Sequence, residues 1–141
     1  KKEIEDSAKY IQKTRIDAVG KVNDIHAIST KYINLLKSGK VSPQTTGAFN
    51  ASNVLQLRKE LNIITSAGRD GGIIPSNIQN ALGSRFDAMR KLSLLMTEVI
   101  EDSTKEKPKF DTKTDFKKYF EGFFKTANEL PPLIKHLKSL P

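Results

Sequence analysis

Cysteine and tryptophan are missing from this 141-residue chain, and histidine occurs only twice. Without cysteine there is no disulfide, no thiolate nucleophile and no zinc–thiolate centre. His26 and His136 lie far apart, and neither has a histidine or glutamate three or four residues away. The Glu-x-x-His pairs of di-iron bundles are absent as well. The sequence therefore leads to the expectation of no metal and no cofactor.

Catalytic patterns are equally sparse. Ser84 follows Gly83, but in a helical context without the G-x-S-x-G elbow. No two carboxylates share an otherwise apolar helical face, where burial would raise a pKa. With no nucleophile, base and orienting group in one pattern, the chain reads as a non-enzyme. Apolar runs fall well short of the roughly 18–20 residues of a membrane span. No signal peptide is visible, and the chain opens on Lys1-Lys2, which reads as a mature form or an excised fragment.

Acidic residues are also in deficit. Sixteen Asp and Glu face 24 Lys and Arg, giving a formal net charge of +8. Anionic partners are thus conceivable: acidic protein, phospholipid or nucleic acid. Only five of the 24 cations are arginine, the residue that base readout favours, so nucleic acid ranks below the other two.

Helical periodicity is what the chain does have. From Glu3 to about Ser38, the residues Ile4, Ala8, Ile11, Ala18, Val22, Ile25, Tyr32 and Leu36 recur at spacings built from three and four. Arg15 and Ser29 interrupt this stripe, Gly20 is a possible weak point, and Gly39 suits the position just past the end. A helix of about 36 residues spans about 54 Å. Residues 39–50, GKVSPQTTGAFN, read as a loop, with Val41 and Phe49 able to pin it to the body. A second helix starts near Asn50 or Ser52, carries Val54, Leu57, Leu61 and Ile64, and ends at Gly68. Ser76-Asn77-Ile78-Gln79 matches a capping box opening a third helix, whose stripe is Ile78, Leu82, Phe86, Met89, Leu92, Met96 and Val99. A fourth helix begins at Asp111 or Thr112, with Phe116, Tyr119, Phe120, Phe123 and Ala127 facing inward and Phe124 at the edge. Leu130-Pro131-Pro132 must break it, leaving a short helical piece over residues 132–140. The expected fold is a single all-α domain over residues 1–141. It is an antiparallel up-down-up-down four-helix bundle with a long first helix and a short kinked C-terminal one. Leu61, Leu82, Met89, Leu92, Ile25 and Phe120 are expected in its core.

Two stretches invite a functional reading. GRDGGIIPSN, residues 68–77, places Arg69 and two glycines ahead of a helix N-terminus, where an anion can bind. It lacks both glycine-rich phosphate motifs and no strand precedes it, so a plain linker is the stronger reading. The second is a basic tip. In an up-down-up-down bundle the first and third connections share one end. Lys37 and Lys40 belong to the first; Lys105, Lys107, Lys109, Lys113, Lys117 and Lys118 belong to or follow the third. Glu101, Asp102, Glu106, Asp111 and Asp115 lie among them, so a solvated tip of mixed charge outranks a binding site. Asn50-Ala51-Ser52 fits a glycosylation sequon but doubles as a helix cap and carries no weight.

The functional expectation is an interaction domain that binds another protein. Its lysine-, isoleucine- and asparagine-rich composition suggests a bacterial secreted or envelope protein, placed outside the cytoplasm. The first alternative is an anionic-surface binder, for phospholipid or nucleic acid, acting through Lys37, Lys40, Lys105, Lys107, Lys109 and Lys113. The second is a ligand-sensing bundle.

Overall fold

A computed structural model describes the backbone of residues 2–50, 52–67 and 74–140, and the side chains of residues 9–49, 53–63 and 74–140. Six α-helices follow one another: α1 (Lys2–Lys37), α2 (Pro43–Thr46), α3 (Ser52–Ala67), α4 (Ser76–Asp102), α5 (Thr112–Ala127) and α6 (Leu130–Lys138). A 3-10 turn, Ala48–Asn50, lies between α2 and α3. No strand occurs among the described residues, and the helices pack as an all-α bundle.

The long helices form a ring. α1 lies beside α3 and α6, α4 lies beside α5, and α4 closes the circuit through α3 and α6. Leu92 meets Gly122, and Arg85 pairs with Glu129 at 3.1 Å. Moving back along α4 thus moves forward along the chain of α5, which is the register of antiparallel neighbours. Gly122 makes this pair close, because a β-carbon there would come within 3.3 Å of the Leu92 side chain.

The first helix follows its apolar stripe. Ala18, Val22, Ile25, Ser29, Tyr32 and Leu36 are all buried. Ser29 is tolerated in that stripe because its hydroxyl donates to the Ile25 carbonyl at 2.7 Å. Gly20 does not weaken the helix visibly; it is exposed and α1 runs through it. Gly39, at φ +81°, ends α1 by turning its amide onto the Leu36 carbonyl at 3.3 Å.

Residues 39–50 depart from the expected loop. Ser42 accepts the Thr45 amide on its hydroxyl, Pro43 pre-sets the first turn, and α2 forms. The segment then inserts between the long helices. Thr46 and Phe49 are fully buried, and the Phe49 ring meets Phe123 edge-on at 4.9 Å, Tyr32 at 5.8 Å and Phe86 at 6.0 Å. The Thr46 carbonyl accepts from the Tyr32 hydroxyl at 2.7 Å and from Ser93 Oγ at 3.3 Å. Burial pushes the Tyr32 phenol up to about 12, so it stays protonated and donating.

Three further expectations need correction. The capping box at Ser76 does not form: Ser76 is already helical, Pro75 precedes the helix, and the Gln79 side-chain amide donates instead to the Ile74 carbonyl at 2.6 Å. Leu92 is only half-buried, because Ser93 takes the inward position to meet Thr46. Phe120, with Phe116 and Tyr119, is half-buried too, so the aromatic face of α5 reaches the core fully only at Phe123 and Ala127. The break near the paired prolines is as expected. Pro131 and Pro132 sit in the first turn of α6, where missing amide protons are not needed. α6 then buries Leu130, Ile134 and Leu137 against α1 and α4.

Candidate functional site

The lysine-rich connection is an ordered hairpin rather than a slack loop. Its anchor is Asp102, the last residue of α4 and 3% exposed. A carboxylate at a helix C-terminus opposes the macrodipole. Asp102 tolerates this because its Oδ2 accepts the amides of Lys109 at 2.8 Å and Phe110 at 2.9 Å. At the far side, Asp111 caps α5, accepting from the Thr114 hydroxyl at 2.9 Å and the Thr114 amide at 3.4 Å. Those bonds hold its carboxyl below the usual carboxylate range, the side-chain bond from Thr114 first. Asp115 returns a bond to the Asp111 amide at 2.9 Å. Three of the five acidic residues counted at this tip are thus engaged with backbone. Lys105, Lys107, Lys109 and Lys113 stay exposed.

The other two lysines of the expected patch go elsewhere. The Lys37 ammonium sits 4.7 Å from the centre of the Phe124 ring. Phe124 is eleven residues beyond Lys113 on α5, which is about 16 Å at 1.5 Å per residue. Lys40 lines a shallow depression with Ala27, Thr30 and Lys31 of α1. The six lysines therefore do not converge on one spot. Arg69, the candidate for an anion loop, lies outside the described residues.

Sequence reading missed a different surface, a groove of about 670 Å³ between the first half of α1 and α6. Ile11, Ile16 and Val19 form its α1 wall, and Leu137 and Leu140 its opposite side. Gln12, Arg15 and Lys138 supply the polar atoms, and no acidic residue lines it among the described residues. The periodic stripe accounts for Ile11 in the inward face, but not for Ile16, which is 61% exposed. A residue that breaks the period outward with an isoleucine was the available signal.

Among the described residues, no group of three or more His, Cys, Asp or Glu is placed to hold a metal ion. Among the same residues, no helix is long and apolar enough to cross a membrane. No protein-family model, curated protein or solved structure matches this chain.

Proposed function

We propose that this chain is a non-enzymatic interaction domain that binds another protein, with the α1–α6 groove as its docking site. The observation that carries this reading is the groove itself: an open, apolar trough whose outer lip is an exposed isoleucine and whose charged lining, among the described residues, is Arg15 and Lys138. An apolar helix face laid into such a trough is a common recognition mode. Its volume also lies in the range of small-ligand sites, about 300–1,000 Å³. A ligand-sensing role is therefore the competing outcome of the test. The setting proposed with this reading remains a bacterial secreted or envelope protein.

Photo-crosslinking tests it directly. Ile16 and Ile63 are similarly exposed, at 61% and 67%, but only Ile16 borders the groove. A photoreactive residue at position 16, in cells producing the protein, should yield a discrete protein adduct that position 63 does not. Adducts confined to lipid or small molecules, or equal adducts from both positions, would reject the reading.

A second reading has one observation in its favour. Four exposed lysines ride on a hairpin whose shape Asp102 fixes, and such a tip attracts anionic headgroups, each lysine adding about 1 kcal/mol near the surface. Vesicle binding, argued at the end of the Discussion, tests it.

A further inference from the structure

A different seam, across the ring from the α1–α6 groove, carries its own recognition chemistry. α3 and α4 leave a notch of about 310 Å³ lined by Leu55, Arg58, Lys59 and Arg90. Two of the chain's five arginines meet there. Arg58 is held in place: one arm pairs with Asp87, and its guanidinium lies 5.9 Å from the centre of the Phe86 ring. Arg90 makes no ion pair among the described residues, although the neighbouring arginines do, Arg58 with Asp87 and Arg85 with Glu129. The Nε donors of Arg58, Arg85 and Arg90 are all shielded from solvent without a hydrogen-bond acceptor among the described residues. Arg85 Nε, however, lies 3.1 Å from the Glu129 carboxylate, so Arg90 is the one of the three with no ion pair among those residues. A shielded donor without an acceptor is costly, and a guanidinium is shaped for a carboxylate.

The notch also has apolar shoulders. Leu55 is 40% exposed, and Leu94, one turn beyond Arg90 on the same face of α4, is 50% exposed. Arginine is enriched at interface anchors, and the two exposed leucines beside it add apolar area for a partner to cover. Asp87 narrows the choice of anion. Its carboxylate beside Arg58 repels a dianionic phosphate more than the single charge of a carboxylate.

We propose that the α3–α4 notch is a second protein-docking site. It receives an aspartate or glutamate of an acidic partner segment at Arg58 and Arg90, with apolar side chains of that segment resting on Leu55 and Leu94. This stands on residues separate from the α1–α6 groove, so either site can fail without the other.

The test uses the whole chain and three probes: a capped helical peptide of leucine and glutamate, the same peptide with glutamine for glutamate, and inorganic phosphate. Titrations are followed by NMR at the arginine Nε–H signals and the Leu55 and Leu94 amides. The glutamate peptide should move the Arg90 signal and both leucine amides, and bind about tenfold more tightly than the glutamine peptide, a difference of about 1.4 kcal/mol. Arg90→Gln should erase that preference. Arg90→Lys, which keeps the charge and loses the fork, should retain only part of it and serves if the glutamine variant folds poorly. Val19, in the other groove, should stay unmoved. No movement at Arg90, equal binding of the two peptides, or phosphate binding as tightly as the glutamate peptide would each overturn the proposal, the last by showing a simple anion site.

Discussion

The connection after α1 and the connection after α4 read alike in sequence, and they behave as opposites. Both are short polar stretches with a proline, and both follow a long helix. The first turns inward: Thr46 and Phe49 have no exposure, and Phe49 touches rings from α1, α4 and α5. The second turns outward: residues 103–109 are all exposed, and one buried carboxylate holds them. The difference lies in what each stretch offers the interior. One large aromatic beside a glycine and small residues can be swallowed whole. Lysine at alternate positions cannot, since each ammonium would need a partner in the low-dielectric core.

The sharpest way to break this contrast is to remove the inward anchor. Phe49→Ala should destabilise the fold by about 3–5 kcal/mol, the usual range for a fully buried phenylalanine. Phe124→Ala, at an exposed ring, should cost less than about 1 kcal/mol. Urea unfolding of the two variants measures the difference. Comparable losses would show that the first connection is a surface loop in solution.

The outward hairpin has one buried anchor, Asp102. Asp102→Ala strands the amides of Lys109 and Phe110 and should cost about 1–3 kcal/mol. Its mark is local: hydrogen exchange should accelerate at those two amides and stay slow in α2 and around Tyr32. Uniform acceleration across the bundle would mean that Asp102 supports the core rather than the hairpin.

How much of this was legible depends on whether a signal is local. The C-terminal end of α1, the Asp111 cap and the proline break before α6 are set by residues within one turn of the event, and sequence reading placed them within a residue or two. Phe49 is different. Its stretch offers it as a pin to the body, and it is one, but nothing there says that three distant rings will leave a space its size. The exchange of Leu92 for Ser93 has the same origin. A helical period admits either residue on the inner edge, and the choice falls to Ser93 because the Thr46 carbonyl, 47 residues away, needs donors. The candidate site shows this most plainly. The lysines were easy to find in sequence, yet Lys37 is drawn to Phe124 and away from the hairpin. The α1–α6 groove required knowing that α6 folds back along the first half of α1.

Tyr32 links the inserted segment around Thr46 to the long helices and sharpens the comparison by pH. Its folded pKa is raised to about 12 from the ordinary 10, by burial first. The neutral phenol is the form the fold prefers. Its contribution is therefore complete below pH 10 and is lost as pH climbs from 10 toward 12. The two-unit shift corresponds to about 2–3 kcal/mol across that window. Tyr32→Phe should lose about 1 kcal/mol at neutral pH, for one hydrogen bond, and should fall less steeply above pH 10 than the parent. Thermal melts of both proteins from pH 8 to 11.5 check this. Parallel curves would show that the phenol ionises without regard to its burial against Thr46.

The smallest effect is expected where the chain is most charged. Replacing Lys105, Lys107 and Lys109 together by glutamine should change stability by no more than about 0.5 kcal/mol, because each side chain is exposed. Among the described residues, their only ion pair is that of Lys105 with Asp102 at 4.0 Å. The same variant asks whether the hairpin serves an anionic surface. Binding to acidic vesicles by the parent should be weak at physiological salt. It should strengthen as salt falls from about 200 to 50 mM, where the Debye length grows past 10 Å. The triple variant should bind more weakly still at the low-salt end, and a Lys9 and Lys13 double variant should match the parent. Those lysines sit on the first half of α1, while the hairpin begins at the end of α4. Tight, salt-resistant binding that the triple variant abolishes would reverse the ranking. The outward connection would then be the functional surface, and the α1–α6 groove the secondary one.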